Sequence, residues 1–198
     1  QRSMEIIVVD DFSTDSTVDL VNHYYGKDGR VRLIKHEKNM GRSIARNTGI
    51  SATKADIICC NDHDDILLGS RINTTLEFFK NHRDVDITYS KFQIIDALGE
   101  VVGLQPVKPF DFEGIKTSGF TYIGHSTMAF RRKVFDKVQY TDGDYSRNAI
   151  DDWKFQVDAY KAGFKFFPIN KTLEQYRWIP KARDEKKILE LKTAALNA

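Results

Sequence analysis

The sequence predicts an α/β fold: a mixed, mainly parallel sheet flanked by helices. Three observations carry this. Glu5-Ile6-Ile7-Val8-Val9 is a continuous apolar run of the kind that forms a strand buried on both faces. Strand and helix patterns then alternate as far as Cys60, and β-α-β-α-β implies parallel strands joined by right-handed crossovers. From about Asp86 the pattern becomes mixed and includes a hairpin.

Taken in order, strand 5–9 is followed by a helix from Asp15 to Tyr25. Its apolar face is Val18, Val21 and Tyr25, and Ser13, Thr14 and Asp15 offer its cap. A strand over Val31–His36 leads through Asn39-Met40-Gly41 into a helix ending near Ser51, and Asp56–Cys60 forms a third strand. A helix over Ser70–Asn81 follows. Ile87–Ile95 and Val101-Val102 flank Ala97-Leu98-Gly99 as a hairpin. Phe110–Phe120 reads as a loop or short helix and Thr127–Phe130 as a strand. Ile150–Ala162 reads as an amphipathic helix, with strands at Lys165–Phe167 and Leu173–Tyr176 after it. Asp184–Asn197 places Ile188, Leu189, Leu191 and Leu196 at helical spacing, to pack back on the domain or to make an oligomer contact.

Lys and Arg number 30 against 28 Asp and Glu, a net charge of +2, so no nucleic-acid partner is called for. Cys59 and Cys60 are adjacent in an apolar run and fit reduced core residues of a cytoplasmic protein. No apolar stretch reaches the roughly 20 residues that cross a bilayer, so membrane association would be peripheral, at the inner face. Parallel sheets rarely begin as abruptly as Glu5 does. Further residues are therefore expected ahead of Gln1.

Three polar constellations fall at strand or helix ends, where open α/β sheets bind ligands. Asp10-Asp11-Phe12-Ser13-Thr14-Asp15 follows the first strand. Ser13 and Asp15 suffice to cap a helix, which leaves Asp10 and Asp11 over. Asp62-His63-Asp64-Asp65 follows Cys60, and clustered carboxylates there suit either a polar loop or a hard divalent cation. Arg42 and Arg46, at i and i+4 behind a glycine-containing turn, suit either a diphosphate or open solvent. Later, Asp151-Asp152 open a helix, where carboxylates favour the dipole and can also serve as a general base.

In order and spacing, these stretches resemble the family 2 glycosyltransferases, the inverting group with the Rossmann-like GT-A fold. V-D-D-x-S-T-D is matched by Val9 to Asp15, and N-x-G-x-x-x-A-R-N-x-G by Asn39, Gly41, Ala45, Arg46, Asn47 and Gly49. D-x-D-D is matched by Asp62 to Asp65, the E-D-W helix start by Asp151-Asp152-Trp153, the following Gly by Gly163, and Y-R-W by Tyr176-Arg177-Trp178. The likeness covers residues 5–180, and it implies that the family's first, central strand would lie ahead of Gln1 and is missing from this chain. Asp151 stands where the family has Glu, and His63 fills a variable position.

The resemblance implies a single catalytic domain over 1–180, with a nucleotide-binding part at about 1–85, an acceptor-side part at about 86–180, and a C-terminal helix at 181–198. It implies a UDP-sugar donor bound by Asp10, Asp11, Ser13, Arg46 and Asp62, with Asp11 near the base and Asp62 near the ribose. Asp64 would hold Mn2+ or Mg2+, and Asp65 would hold its loop. Asp152, with Asp151 beside it, would take the proton from the hydroxyl of a glycan or lipid-linked acceptor. His125, Trp153, Arg177 and Trp178 are candidates to contact the acceptor or donor sugar. The alternatives are a catalytically silent sugar-nucleotide or glycan-binding module, a nucleotidyltransferase, and a receiver-like domain phosphorylated on Asp62.

Overall fold

A computed structural model of the chain describes residues 4–179 and 184–198. β1 (Ile6–Asp10) and β2 (Val31–Lys35) pair in parallel across the crossover helix α1 (Thr17–Tyr25), with Ile6 opposite Val31 and Asp10 opposite Lys35. α1 starts two residues later than the capping pattern implied, because Asp15 accepts from the backbone N–H of Thr17 (3.0 Å) and from its hydroxyl (2.6 Å). Val18 and Val21 are half-buried, but Tyr25 is 55% exposed and does not belong to the packed face.

α2 (Arg42–Ser51) leads to β3 (Ile57–Cys59), completing the expected alternation. β3, however, does not pair with β1. It lies at one end of a six-stranded sheet and runs antiparallel to β7 (Ala129–Arg131). The remaining members are β4 (Ile66–Leu67), β5 (Ile87–Ile95), β6 (Val101–Gln105) and β8 (Phe166–Arg177), in the order β3-β7-β5-β8-β4 with β6 also on β5. Among the described residues, only β1/β2 and β5/β8 pair in parallel; four pairings are antiparallel, so the sheet is more mixed than the alternation implied. Among the described residues β1 has β2 on one edge and no strand on the other, and Ile7, Val8 and Val9 are half-buried where burial on both faces was expected.

β8 replaces the two separate strands read from the sequence. Its register against β5 slips after Ile169, so that Lys91 faces Thr172, and the residues between bulge out. Pro168 is tolerated because only Gln175 and Glu174 pair with β4, leaving the edge beside Pro168 free of a ladder.

α3 (Arg71–Asn81) packs beneath the sheet through Phe79, with Val85 and Ala129. The main core joins Ile58, Ile87, Met128 and Phe130 to Phe155 and Ala159 of α7 (Asp151–Lys161). A second core places α4 (Phe112–Ser118) and α8 (Glu185–Asn197) against α7 through Ile115, Trp153, Val157, Ile188 and Ala195. α8 therefore packs back on the domain, and Lys161 donates to the terminal carbonyls of Ala195 (2.8 Å) and Leu196 (3.0 Å). Two short helices, α5 (Arg132–Lys137) and α6 (Asp144–Arg147), were not anticipated. The expected boundary between domain and C-terminal helix, at 180/181, lies outside the described residues.

Candidate active site

The acids at the strand ends differ in how many of their oxygens the protein itself occupies. Asp11, just after β1, accepts from the backbone N–H groups of Met40 and Gly41 (2.8 Å each) and meets His36 Nδ1 at 2.7 Å. The other His36 nitrogen lies 3.0 Å from the Thr48 hydroxyl. Burial works to raise the Asp11 pKa, but these hydrogen bonds outweigh it and hold the carboxyl below its usual range. Both oxygens take part in shaping the loop ahead of α2, while the side chain remains 20% exposed. Asp10 is 5% exposed and lies 3.4 Å from the Ser13 N–H; Ser13 itself is exposed.

Gly41 opens α2 at φ +88°, a conformation that side chains disfavour. The helix then docks on the segment ahead of α7. Ser43, fully buried, donates to the Thr141 carbonyl (2.9 Å) and to Asp151 (3.2 Å). Asn47 exchanges two hydrogen bonds with the backbone of Tyr140. Arg46 donates to Asp151 with one amino group and to Asp62 with the other (3.0 Å), and its guanidinium carbon sits 5.4 Å from the Tyr140 ring centroid. It thus clamps the end of β3 to the start of α7. Arg42 is half-exposed and only 4.0 Å from Asp151.

Asp151 is wholly buried, and burial raises its pKa against the pull of Arg46. A carboxylate closed in this way cannot reach a substrate hydroxyl, so the structure separates it from Asp152. Asp152 is half-buried and carries no hydrogen bond among the described residues.

In the cluster after β3, Asp62 Oδ1 receives Arg46 Nη2 and His125 Nδ1, both at 3.0 Å, while Oδ2 carries no hydrogen bond among the described residues. Burial opposes ionisation, but the two cationic neighbours hold the carboxyl well below the usual range. Asp65 is turned inward, accepting from the Ser126 hydroxyl and from the Arg177 backbone N–H (2.8 Å), and burial pushes its pKa up. Asp64 is half-buried, and among the described residues its carboxylate carries no hydrogen bond and no three His, Cys, Asp or Glu side chains gather as a metal site. One hard oxygen donor does not make a cage of protein alone, and it would suit Mn2+ or Mg2+ only beside oxygen donors from a ligand or water.

The sugar-contact candidates separate clearly. His125 is 6% exposed with both ring nitrogens engaged, Nδ1 by Asp62 and Nε2 by the Tyr140 hydroxyl at 3.0 Å, so it stands behind Asp62 and not against a sugar. Burial lowers its pKa, but the Asp62 carboxylate outweighs this and lifts it to about 10. Trp153 is 5% exposed in the second core, which leaves no face for a sugar to stack on. Arg177 is spent on the carbonyls of Asp64 (3.1 Å), Asp96 (2.8 Å) and Ala97 (3.2 Å), bracing the cluster against the β5–β6 hairpin. Trp178 is exposed.

Beneath the cluster lies a pair that the sequence reading missed. Arg71, 1% exposed, donates to Glu174 and to the carbonyls of Ser126 and Met128, and burial pushes Glu174 up to about 8. A charged residue opening α3 and another inside an apolar strand were the only available signals. His36, Ser43, Tyr140 and Ser126 were missed as well, since their partners lie far off in sequence.

Residues 1–139 match the family model described as Glycosyl transferase family 2. An uncharacterized glycosyltransferase of Methanocaldococcus jannaschii is 28% identical over 174 residues, covering 87% of this chain and 59% of its own length. The UDP-Glc:alpha-D-GlcNAc-diphosphoundecaprenol beta-1,3-glucosyltransferase WfaP of Escherichia coli is 33% identical over 93 residues, 47% of this chain and 36% of that protein. TarS of S. aureus, solved as residues 1–349 in complex with UDP-GlcNAc, superposes with a TM-score of 0.74 at 17% identity, covering 98% of this chain and 57% of that one. The chain thus spans little more than half of TarS 1–349 and of the archaeal relative. A family match over most of the length leaves the receiver-like reading without support, and a mixed α/β sheet superposing on TarS agrees with it: the chain belongs to glycosyl transferase family 2.

Proposed function

We propose that this chain forms the catalytic part of an inverting glycosyltransferase. It would move a sugar from a UDP-sugar to a hydroxyl of a glycan or lipid-linked acceptor. The observation that carries this reading is the Arg46 clamp, which ties the donor-side carboxylate Asp62 to the helix start bearing Asp152. The UDP-GlcNAc bound by TarS and the donor and acceptor in the name of WfaP support the substrate classes.

The free oxygens divide the work. Asp62 Oδ2 is available to the ribose and Asp64 to the diphosphate. Asp152 accepts the proton of the acceptor hydroxyl as its oxygen bonds to the anomeric carbon and the bond to UDP breaks on the opposite face. Asp64 would hold Mn2+ or Mg2+, whose charge offsets that of the departing diphosphate. Asp151 contributes by anchoring Arg46, and Arg46 adds positive charge near the donor.

Among the described residues no helix is long and apolar enough to cross a membrane. A lipid-linked acceptor would be met from its headgroup side, peripherally at the cytoplasmic face. α8 packs on α7 through Ile188 and Ala195 while Leu189 stays exposed, so a homo-oligomer contact through this helix would use its Leu189 side. Incubation with a panel of UDP-, GDP- and TDP-sugars, with proton NMR of the product, tests the reading. Transfer is expected from a UDP-sugar with inverted anomeric configuration; a retained configuration, or no transfer from any UDP-sugar, overturns it.

A further inference from the structure

Two carboxylates in this chain are held by the same device. At Asp11 a histidine bridges the carboxylate (2.7 Å) and a hydroxyl, that of Thr48 (3.0 Å). At Asp62 His125 does the same, with 3.0 Å to the carboxylate and 3.0 Å to the Tyr140 hydroxyl. The outcomes differ. Asp11 has both oxygens filled from within by the N–H groups of Met40 and Gly41, whereas Asp62 has both internal donors on Oδ1 and keeps Oδ2 open. One device closes a carboxylate, and the other aims one.

The support behind His125 is rigid. The Tyr140 ring stacks on Phe155 with centroids 4.4 Å apart and planes 10° apart, and its backbone is fixed by Asn47. Its hydroxyl lies 3.6 Å from Cys60 Sγ. With both nitrogens bonded and 6% exposure, the imidazole cannot turn without breaking two hydrogen bonds, nor can it reach a ligand. A carboxylate braced before the ligand arrives loses less freedom on binding.

Resting on the donor reading above, we propose that His125, seated on Tyr140, is a positioning residue that holds Asp62 so that its free Oδ2 accepts a hydrogen bond from a ribose hydroxyl of the nucleotide. Calorimetric titration of the full chain with UDP and with its 2′- and 3′-deoxy analogues tests this. The unchanged chain is expected to bind UDP about 10- to 100-fold more tightly than one of the analogues, the range for a hydrogen bond to a charged group, and Asp62→Asn to reduce that ratio sharply.

His125→Leu should bring the ratio below about threefold while leaving affinity for the deoxy analogue nearly unchanged. His125→Asn, which can place an amide donor near the position of Nδ1, should recover part of it. Tyr140→Phe keeps the stacked ring and should lower the ratio by a smaller factor; it carries the test should His125→Leu not fold. A residue that merely supports the fold would weaken all three nucleotides alike. A ratio lost in Asp62→Asn but intact in the His125 and Tyr140 variants overturns the proposal and leaves the donor reading standing. No discrimination in the unchanged chain, or a ratio intact in Asp62→Asn, overturns the ribose assignment and the proposal with it.

Discussion

Asp11, Asp65 and Asp151 stand beside Asp62, Asp64 and Asp152 in the sequence, yet the two sets do different work. Gly41, Arg177, Arg46 and their neighbours hold the first set, Asp151 through Oδ2 alone with its Oδ1 buried and unpaired, whereas among the described residues the second set keeps unbonded oxygens on side chains that stay partly exposed. The sequence made the clusters legible, because paired acids after an apolar strand stand out. It could not divide them: Asp151 is separated from Arg46 by 105 positions and Asp65 from Ser126 by 61. Arg46→Ala would leave Asp151 buried and uncompensated. Urea unfolding should show a loss of about 3 kcal/mol, the low end for a broken buried pair because Arg46 keeps some exposure. A change below about 0.5 kcal/mol, the size expected of a surface substitution, would mean that the clamp carries no load.

At the scale of elements, α2 carries more of the site than its sequence advertised. Arg42 and Arg46 read as one face of a helix, but Arg46 turns into the protein while Arg42 remains half-exposed. Ser43 and Asn47, ordinary polar residues to the eye, dock the helix on residues 140–151. What sets its start is Gly41, at φ +88° and with its N–H on Asp11. A Cβ there would fall 3.2 Å from the Ser146 hydroxyl, so Gly41→Ala adds crowding to backbone strain. The expected cost is about 1 to 3 kcal/mol, with weaker UDP binding, measurable by thermal unfolding and calorimetry; an unchanged Tm would show that the loop relaxes freely. β8 shows the limit of reading locally: a bulge between two halves of one strand looks like a loop between two strands.

For the whole molecule, the α/β class and the order of the longer elements up to β6 were legible because apolar periodicity survives in them, whereas the short β4, α5 and α6 carry too few residues to show a period. The pairing of β3 with β7 and of β5 with β8 was not, since strand neighbours are chosen by tertiary packing rather than by adjacency. The result is a small β1–β2 unit beside a six-stranded sheet, and α1 buries no residue fully. Hydrogen exchange is expected to be faster in β1 and β2 than in the central β5 and β8, and equal protection would refute two units of unequal stability. The Arg46 clamp nevertheless ties the end of β3 to the start of α7, where holding acids and the proposed reacting acids stand close together. Asp152→Asn tests that division most directly, with sugar transfer and UDP affinity measured on the same preparation. Transfer should fall by about 100- to 10,000-fold with UDP affinity unchanged, whereas near-normal turnover would show that the proton goes elsewhere.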